Sequence, residues 1–249
     1  MTISRAAGHS KAWYSRWFGE EYLQLYPHRD AGEAGRAAAL VVRSARPEPG
    51  GRVLDLACGA GRHLSTLGEH GLRPVGLDLS LPLLLLAKAP ALVRGDMRLL
   101  PFGPGTFQLV TSFFTSFGYF PDPREDLRVL AEVRRVLARG GSFGFDFLNA
   151  RRVRELLVPV DERETDGRRV VQRRRLVEGG RVVEKRIEIT GAGGESEGVF
   201  HERVRLYTVA ELLELFHRAG LEPVERFGDY TGAPLERESP RVILIGRAR

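Results

Sequence analysis

Three aspartates stand where apolar runs stop: Asp55 in "VLDLACGAGRH", Asp78 in "PVGLDLS" and Asp96 in "VRGDM". A carboxylate at the end of a buried strand can accept hydrogen bonds or face a cation. After Asp55 the chain turns through Gly59 and Gly61, so a ligand can approach the backbone there. Two phosphate-binding patterns compete for such a turn. The dinucleotide fingerprint G-x-G-x-x-G/A lacks its third small residue, because Leu64 stands in that place. A phosphate loop requires Gly-Lys-Ser/Thr, and no lysine is present in the turn. Asp55 would also repel a pyrophosphate. It suits a ligand that presents an ammonium group or a polarised hydrogen-bond network instead. Cys58, inside the turn, reads as a small apolar filler.

The elements that carry these residues alternate between strand and helix. Residues 52–57, 74–80, 92–97, 107–113 and 142–149 read as strands. Helices are predicted over 62–71, closed by Gly71, over 81–89, and over 124–141 with Leu127, Leu130, Val133 and Leu137 on one face. This βαβ rhythm implies a mostly parallel, doubly wound sheet covered on both faces. It breaks over 168–207, where three antiparallel strands are predicted, with Gly179-Gly180 and "GAGGESEG" at the turns. After Thr208 a helix and two strands resume the α/β pattern, so residues 151–207 read as an insertion within one domain. Ahead of that domain, residues 10–30 read as an aromatic-rich helix, followed by a second helix over 31–44.

An adenosyl ligand without phosphates fits the acid-and-glycine pattern, and S-adenosylmethionine carries a sulfonium, an α-amino group and an α-carboxylate. "VLDLACGAGRH" resembles motif I of the class I S-adenosylmethionine-dependent methyltransferases, with Ala57 at the family's first glycine. "PVGLDLS", "VRGDM", "FQLVTSFFTSFGYF" and "VLARGGSFGFDFLN" resemble the segments that follow, in order. The resemblance covers about 36–150 and 208–249. It implies a Rossmann-like seven-stranded α/β sheet over 31–150 and 208–249, an N-terminal helical lid over 1–30 and an inserted antiparallel sheet over 151–207. It also implies a cofactor site at Asp55, Ala57, Gly59, Gly61, His63, Asp78, Leu79, Asp96, Met97, Ser112 and Phe113, with Asp78 on the ribose hydroxyls and Asp96 and Met97 at the adenine. The aromatic helix resembles the lid of small-molecule members; Tyr22, Tyr26 and Arg29 would close on the cofactor, with Arg29 suited to its carboxylate. Trp13, Trp17 and Phe18 read as packing residues.

Methyl transfer needs alignment and exclusion of water, and for some acceptors a base. His201, Tyr207 and His28 are the candidate bases. Alternation places His201, Arg203, Arg205 and Tyr207 on one face of the last inserted strand, where they could meet an acidic or phenolic acceptor. The alternative for this sheet is a dimer contact. Transfer to O or N of a small molecule is the leading expectation. RNA or protein methylation, docked through the basic insert, and a non-catalytic cofactor-binding subunit are the alternatives. The asparagine/aspartate-Pro-Pro motif of amino-methylating DNA enzymes is missing, since Ser112-Phe113-Phe114-Thr115 stands there.

Composition bounds the rest. A chain of 249 residues, 43% hydrophobic, is long enough for one large α/β domain with an insertion. Its longest apolar run, "LPLLLLAKA", falls short of the roughly 20 residues that span a bilayer. No secretory h-region opens the chain, so a cytoplasmic protein without a membrane partner is expected. Cys58, the only cysteine, rules out an internal disulfide and a cysteine-rich zinc site, and no metal is expected. The net charge of +6 comes almost wholly from arginine, interleaved with acids, so a nucleic acid partner is not favoured. A monomer or a homodimer fits equally.

Overall fold

The computed structural model describes residues 13–25, 31–89 and 91–249. It begins with α1 (Tyr14–Trp17), α2 (Glu20–Leu25) and α3 (Ala31–Ala45). The single helix predicted over 10–30 is broken in its described part, because Phe18 leaves helical geometry and Gly19 follows it. Next come β1 (Arg52–Leu56), α4 (Arg62–Glu69), β2 (Arg73–Asp78), α5 (Leu81–Leu86), β3 (Leu92–Arg94), β4 (Phe107–Ser112), α6 (Pro123–Val136) and β5 (Leu137–Leu148). Val53, Leu54 and Leu56 are all buried, as a strand covered on both faces requires. α6 buries Val129, Leu130, Val133 and Val136 and stops there. Leu137, expected on the helix, is already extended and opens β5.

The insertion opens with α7 (Ala150–Leu156), whose first N–H groups are capped by the Asn149 side chain. Four strands follow as an antiparallel meander: β6 (Val160–Thr165), β7 (Arg168–Val177), β8 (Val182–Thr190) and β9 (Ser196–Arg205). The sequence predicts only the last three. β6 alternates in burial, but its inward positions are Asp161, Arg163 and Thr165, so it carries no apolar period to read. α8 (Val209–Arg218) starts at a capping box formed by Thr208 and Glu211. β10 (Leu221–Phe227) and β11 (Arg241–Ala248) close the fold.

The main sheet has seven strands in the order β10-β11-β5-β4-β1-β2-β3, with β11 antiparallel to β5 and β10. The order reverses between β1 and β4, which opens a crevice at their carboxyl ends. Helix α4 approaches β2 closely. A Cβ on Gly76 would lie 2.7 Å from Leu64 Cδ1 and 2.7 Å from Cys58 Sγ. The small residue absent at Leu64 on the helix is therefore supplied on the strand by Gly76. Cys58 packs there with Leu64 and Leu84, and burial pushes its thiol pKa up, which keeps it protonated.

The inner face of the inserted sheet is apolar in one part and carries paired charges, Asp161 with Arg174 and Lys185 with Glu202, in another; the outer face is charged. Val170, Ile187 and Ile189 bury against Trp13, Trp17 and Leu25. Trp17 stacks obliquely on Phe200 at 4.7 Å and donates its Nε1–H to Glu202 at 2.6 Å. Trp13 and Trp17, expected to pack the helix on the domain, are directed at the insertion instead, with Trp13 also meeting Tyr119 of the domain at 5.0 Å. The outer face is a ladder of ion pairs: Arg169 with Glu162, Arg175 and Arg203 with Glu184, and Arg173 and Arg186 with Glu188.

Candidate active site

A cavity of about 250 Å³ lies at the carboxyl ends of β1, β2 and β4, roofed by α1 and α2. Gly59 and Gly61 hold φ of 55° and 81° in the turn after β1, a region that glycine enters without strain. Ala57 adopts φ 54° at the place of a family glycine. Asp78 ends β2 and organises this turn. Its Oδ2 accepts from the Gly59 N–H at 2.8 Å and its Oδ1 from the Ser80 N–H at 2.7 Å. Each oxygen keeps a further lone pair for a ligand hydroxyl. Burial raises the Asp78 pKa, and the backbone N–H bonds oppose that rise. Ser80 caps α5, and its hydroxyl also donates to the Phe18 carbonyl at 2.6 Å, tying the end of α1 to the turn.

At the other end of the cavity three buried polar atoms have no hydrogen-bond partner among the described residues: Asp55 Oδ2, Arg62 Nη1 and His63 Nε2. Asp55 accepts from the Thr111 hydroxyl at 2.8 Å through its other oxygen. Burial pushes its pKa up to about 7, against the lowering pull of Thr111 and Arg62. His63 stacks on Phe113 at 4.3 Å, with Nδ1 3.9 Å from Asp55 Oδ2. Burial, helped by Arg62, lowers its pKa to about 3 and keeps the ring neutral.

Asp96 lines the cavity with Met97, and its carboxylate is gripped by Arg98, whose Nη2 lies 2.6 Å from Oδ2. Burial opposes ionisation there, but the Arg98 bonds outweigh it and hold the Asp96 pKa low. Beyond β4 the chain takes a left-handed conformation at both Phe114 (φ 57°) and Thr115 (φ 65°), uncommon for side-chain-bearing residues. Buried Asp146 holds this bend. It accepts from the Phe114 N–H at 2.7 Å, from Tyr230 at 2.6 Å and from Arg241 at 2.7 Å. A second cavity of about 540 Å³ adjoins the first through Phe18, Tyr22, Phe114 and Tyr119. Its far wall is the inner face of the inserted sheet, with Asp161, Arg174, Lys185, Glu202 and Val204.

A family model described as a methyltransferase domain matches residues 53–141. A dTDP-3-amino-3,4,6-trideoxy-alpha-D-glucopyranose N,N-dimethyltransferase of Streptomyces venezuelae is 31% identical over 77% of this chain and 79% of its own. The chain belongs to the class I S-adenosylmethionine-dependent methyltransferases. This methyltransferase is also 29% identical to a cypemycin N-terminal methyltransferase of a Streptomyces species, over 82% of this chain and 86% of the relative. An amino pentose methyltransferase of Micromonospora echinaspora, solved with S-adenosylmethionine bound, superposes with a TM-score of 0.69 at 26% identity, covering 92% of this chain and 97% of that one. The cofactor of the methyltransferase is S-adenosylmethionine. The orphaned Asp55 oxygen, the glycine turn and the buried Asp78 acceptors suit an ammonium, a closely approaching backbone ligand and ribose hydroxyls.

Of the residues expected at the cofactor, Tyr22, Asp55, Ala57, Gly59, His63, Asp78, Leu79, Asp96, Met97 and Phe113 line the cavity. Gly61 and Ser112 are not among its lining residues: Gly61 is the N-cap of α4, and Ser112 is buried at the end of β4. Tyr26, His28 and Arg29 lie outside the described residues. Phe114, Tyr119 and Phe120 also line it, from the segment whose family resemblance places it at the methyl-transfer site, while Tyr14, Phe18 and Arg62 line it and were not expected there from the sequence. The doubled aromatics of "SFFTSFGYF" were the available signal; Arg62 carried none beyond its place after Gly61.

The candidate bases fare differently. Tyr207 is buried beyond the end of β9 and donates to buried Asp126 at 2.6 Å. Burial, with Asp126 beside it, raises its pKa, so it holds its proton. His201 is exposed on the outer face of β9 and lines neither of these two cavities. The face expected at the acceptor, with His201, Arg203 and Arg205, is the outer one. Phe200 and Val204 are the inward apolar residues of β9; Phe200 packs with Trp17 and Val204 against the main core, which turns the arginines outward.

Proposed function

We propose that the protein transfers a methyl group to an amine nitrogen of a small-molecule acceptor seated in the second cavity. The observation that carries this reading is the junction of the two cavities, where Phe18, Tyr22, Phe114 and Tyr119 belong to both walls. S-adenosylmethionine, when bound, supplies an electrophilic methyl on a sulfonium. Asp55 faces its ammonium, Asp78 accepts from its ribose, and Asp96 with Met97 meets its adenine. The aromatic wall shields the junction from water and aligns the acceptor, which is the larger share of catalysis when the leaving group is good. In the far wall Asp161 pairs with Arg174 at 2.7 Å and Glu202 with Lys185 at 2.5 Å, so this wall offers paired polar groups that would orient a neutral amine by hydrogen bonds, its proton having gone to solvent before transfer.

Relatives named as an aminosugar N,N-dimethyltransferase and a cypemycin N-terminal methyltransferase support nitrogen over oxygen. The outer face of the insertion supports a small molecule over RNA, because the arginines there are matched by glutamates across the strands. The test is a panel of aminosugars, N-terminal peptides, phenols and an unstructured RNA, read by mass and by S-adenosylhomocysteine formed. Turnover confined to the amines is the expected outcome. Turnover confined to phenols or RNA refutes it.

A further inference from the structure

We propose that Arg62 receives the carboxylate of the cofactor's amino-acid end. This rests on the cavity being the cofactor site. Arg62 is the first residue of α4, directly after Gly61, and lines the cavity. Its Nη1 is buried and has no hydrogen-bond partner among the described residues. A guanidinium atom cut off from water without an acceptor is costly unless a ligand supplies one. Asp55 Oδ2, in the same cavity wall, is the complementary case: a buried acceptor without a donor. One orphaned donor and one orphaned acceptor match the two charges of an α-amino acid.

Two further features point the same way. Gly61 offers no side chain to cap α4, so the first N–H groups of the helix add positive potential beside Arg62. The guanidinium lies 3.8 Å above the Phe114 ring, which holds its plane. Burial lowers the Arg62 pKa, while Glu33, Tyr230, Asp55 and Asp146 raise it through space. Of these, Asp146 is already engaged by Phe114, Tyr230 and Arg241. Arg62 thus joins the cofactor end of the cavity to the bend at Phe114, where the two cavities meet.

The test compares two ligands that share the adenosyl thioether and differ in the amino-acid end. S-adenosylhomocysteine has it and 5′-methylthioadenosine lacks it. Arg62→Gln should weaken S-adenosylhomocysteine about ten- to a hundredfold, as loss of a charged hydrogen bond does, and leave 5′-methylthioadenosine within about twofold. Arg62→Lys should recover part of the loss, and if the glutamine variant fails to fold, the lysine variant's ratio of the two affinities decides. Equal losses for both ligands would make Arg62 a prop for Phe114 and overturn the proposal. Unchanged S-adenosylhomocysteine affinity, with a loss in Arg29→Gln instead, would move the carboxylate to the lid. Asp78→Ala separates the two readings. It should weaken both ligands, and if it weakens neither, the cavity is not the cofactor site.

Discussion

Asp55 and Asp78 are both buried carboxylates, yet their surroundings assign them different work. Asp78 has two backbone N–H partners and stays an acceptor. Asp55 has one hydroxyl partner and an orphaned oxygen, and its pKa of about 7 leaves it half protonated near neutrality. Binding an ammonium against it requires the carboxylate form. Below pH 7 the proton must leave first, so affinity for S-adenosylhomocysteine should rise with pH, by up to about tenfold per unit, and level off above 7. Arg62, His63, Thr111 and Asp78 surround the group, and His63 with its pKa near 3 stays neutral through this window. Calorimetry from pH 5.5 to 8 checks this, and Asp55→Asn should flatten the profile. A second residue-scale expectation concerns Asp78→Asn. Asn keeps the shape and loses one acceptor oxygen and the charge, so S-adenosylhomocysteine should bind about 1.5 to 3 kcal/mol more weakly in a protein that still melts cooperatively.

At the scale of elements, the contact between α4 and β2 explains how a leucine replaces a small residue in the glycine turn. Gly76→Ala would force its Cβ against Leu64 and Cys58, at 2.7 Å from each. A loss of about 1 to 3 kcal/mol is expected, with α4 displaced from the cavity. Gly76→Ala with Leu64→Ala should regain part of it, and thermal melts of the single and double variants measure the coupling. The lid is a different kind of element. α1 and α2 are too short to stand alone and are held by Trp13, Trp17 and Leu25 against the insertion. Hydrogen exchange over 13–25 should slow when S-adenosylhomocysteine is added, most at Phe18 and Tyr22, which line the cavity. Uniform exchange with and without ligand would describe a lid that packing alone has closed.

At the scale of the whole molecule, a buried polar junction ties the insertion to the main domain. Tyr207 donates to Asp126 on α6, Asp126 accepts from the Gly118 N–H, and Arg205 donates its N–H to the Gly118 carbonyl at 2.8 Å. Burial pushes the Asp126 pKa up to about 6, partly offset by Tyr207. Tyr207→Phe should destabilise the protein by about 1 to 3 kcal/mol, a fall of several degrees in Tm for a domain of this size. Methyl transfer measured well below the new Tm should persist. Loss of turnover without loss of Tm would return Tyr207 to the role of a base.

Much of the site was legible in the sequence because its signals are local. A strand that ends in an acid and enters a glycine turn needs only neighbouring residues to define it, so Asp55, Gly59 and Asp78 could be named with their surroundings unknown. Strands β1, β2 and β4 were legible for the same reason, since a parallel strand buried on both faces shows as a short apolar run. Tertiary structure decided what depends on pairing across distance. The charged strand β6 exists because β7 offers it an edge, and its own residues carry no apolar alternation. Which face of β9 meets the lid was settled by Trp17 and Phe200, far apart in the chain. The weight of Arg62 and Asp55 was invisible in their identities. An orphaned donor or acceptor is defined by the partners that burial withholds, and that is a property of the packed molecule alone.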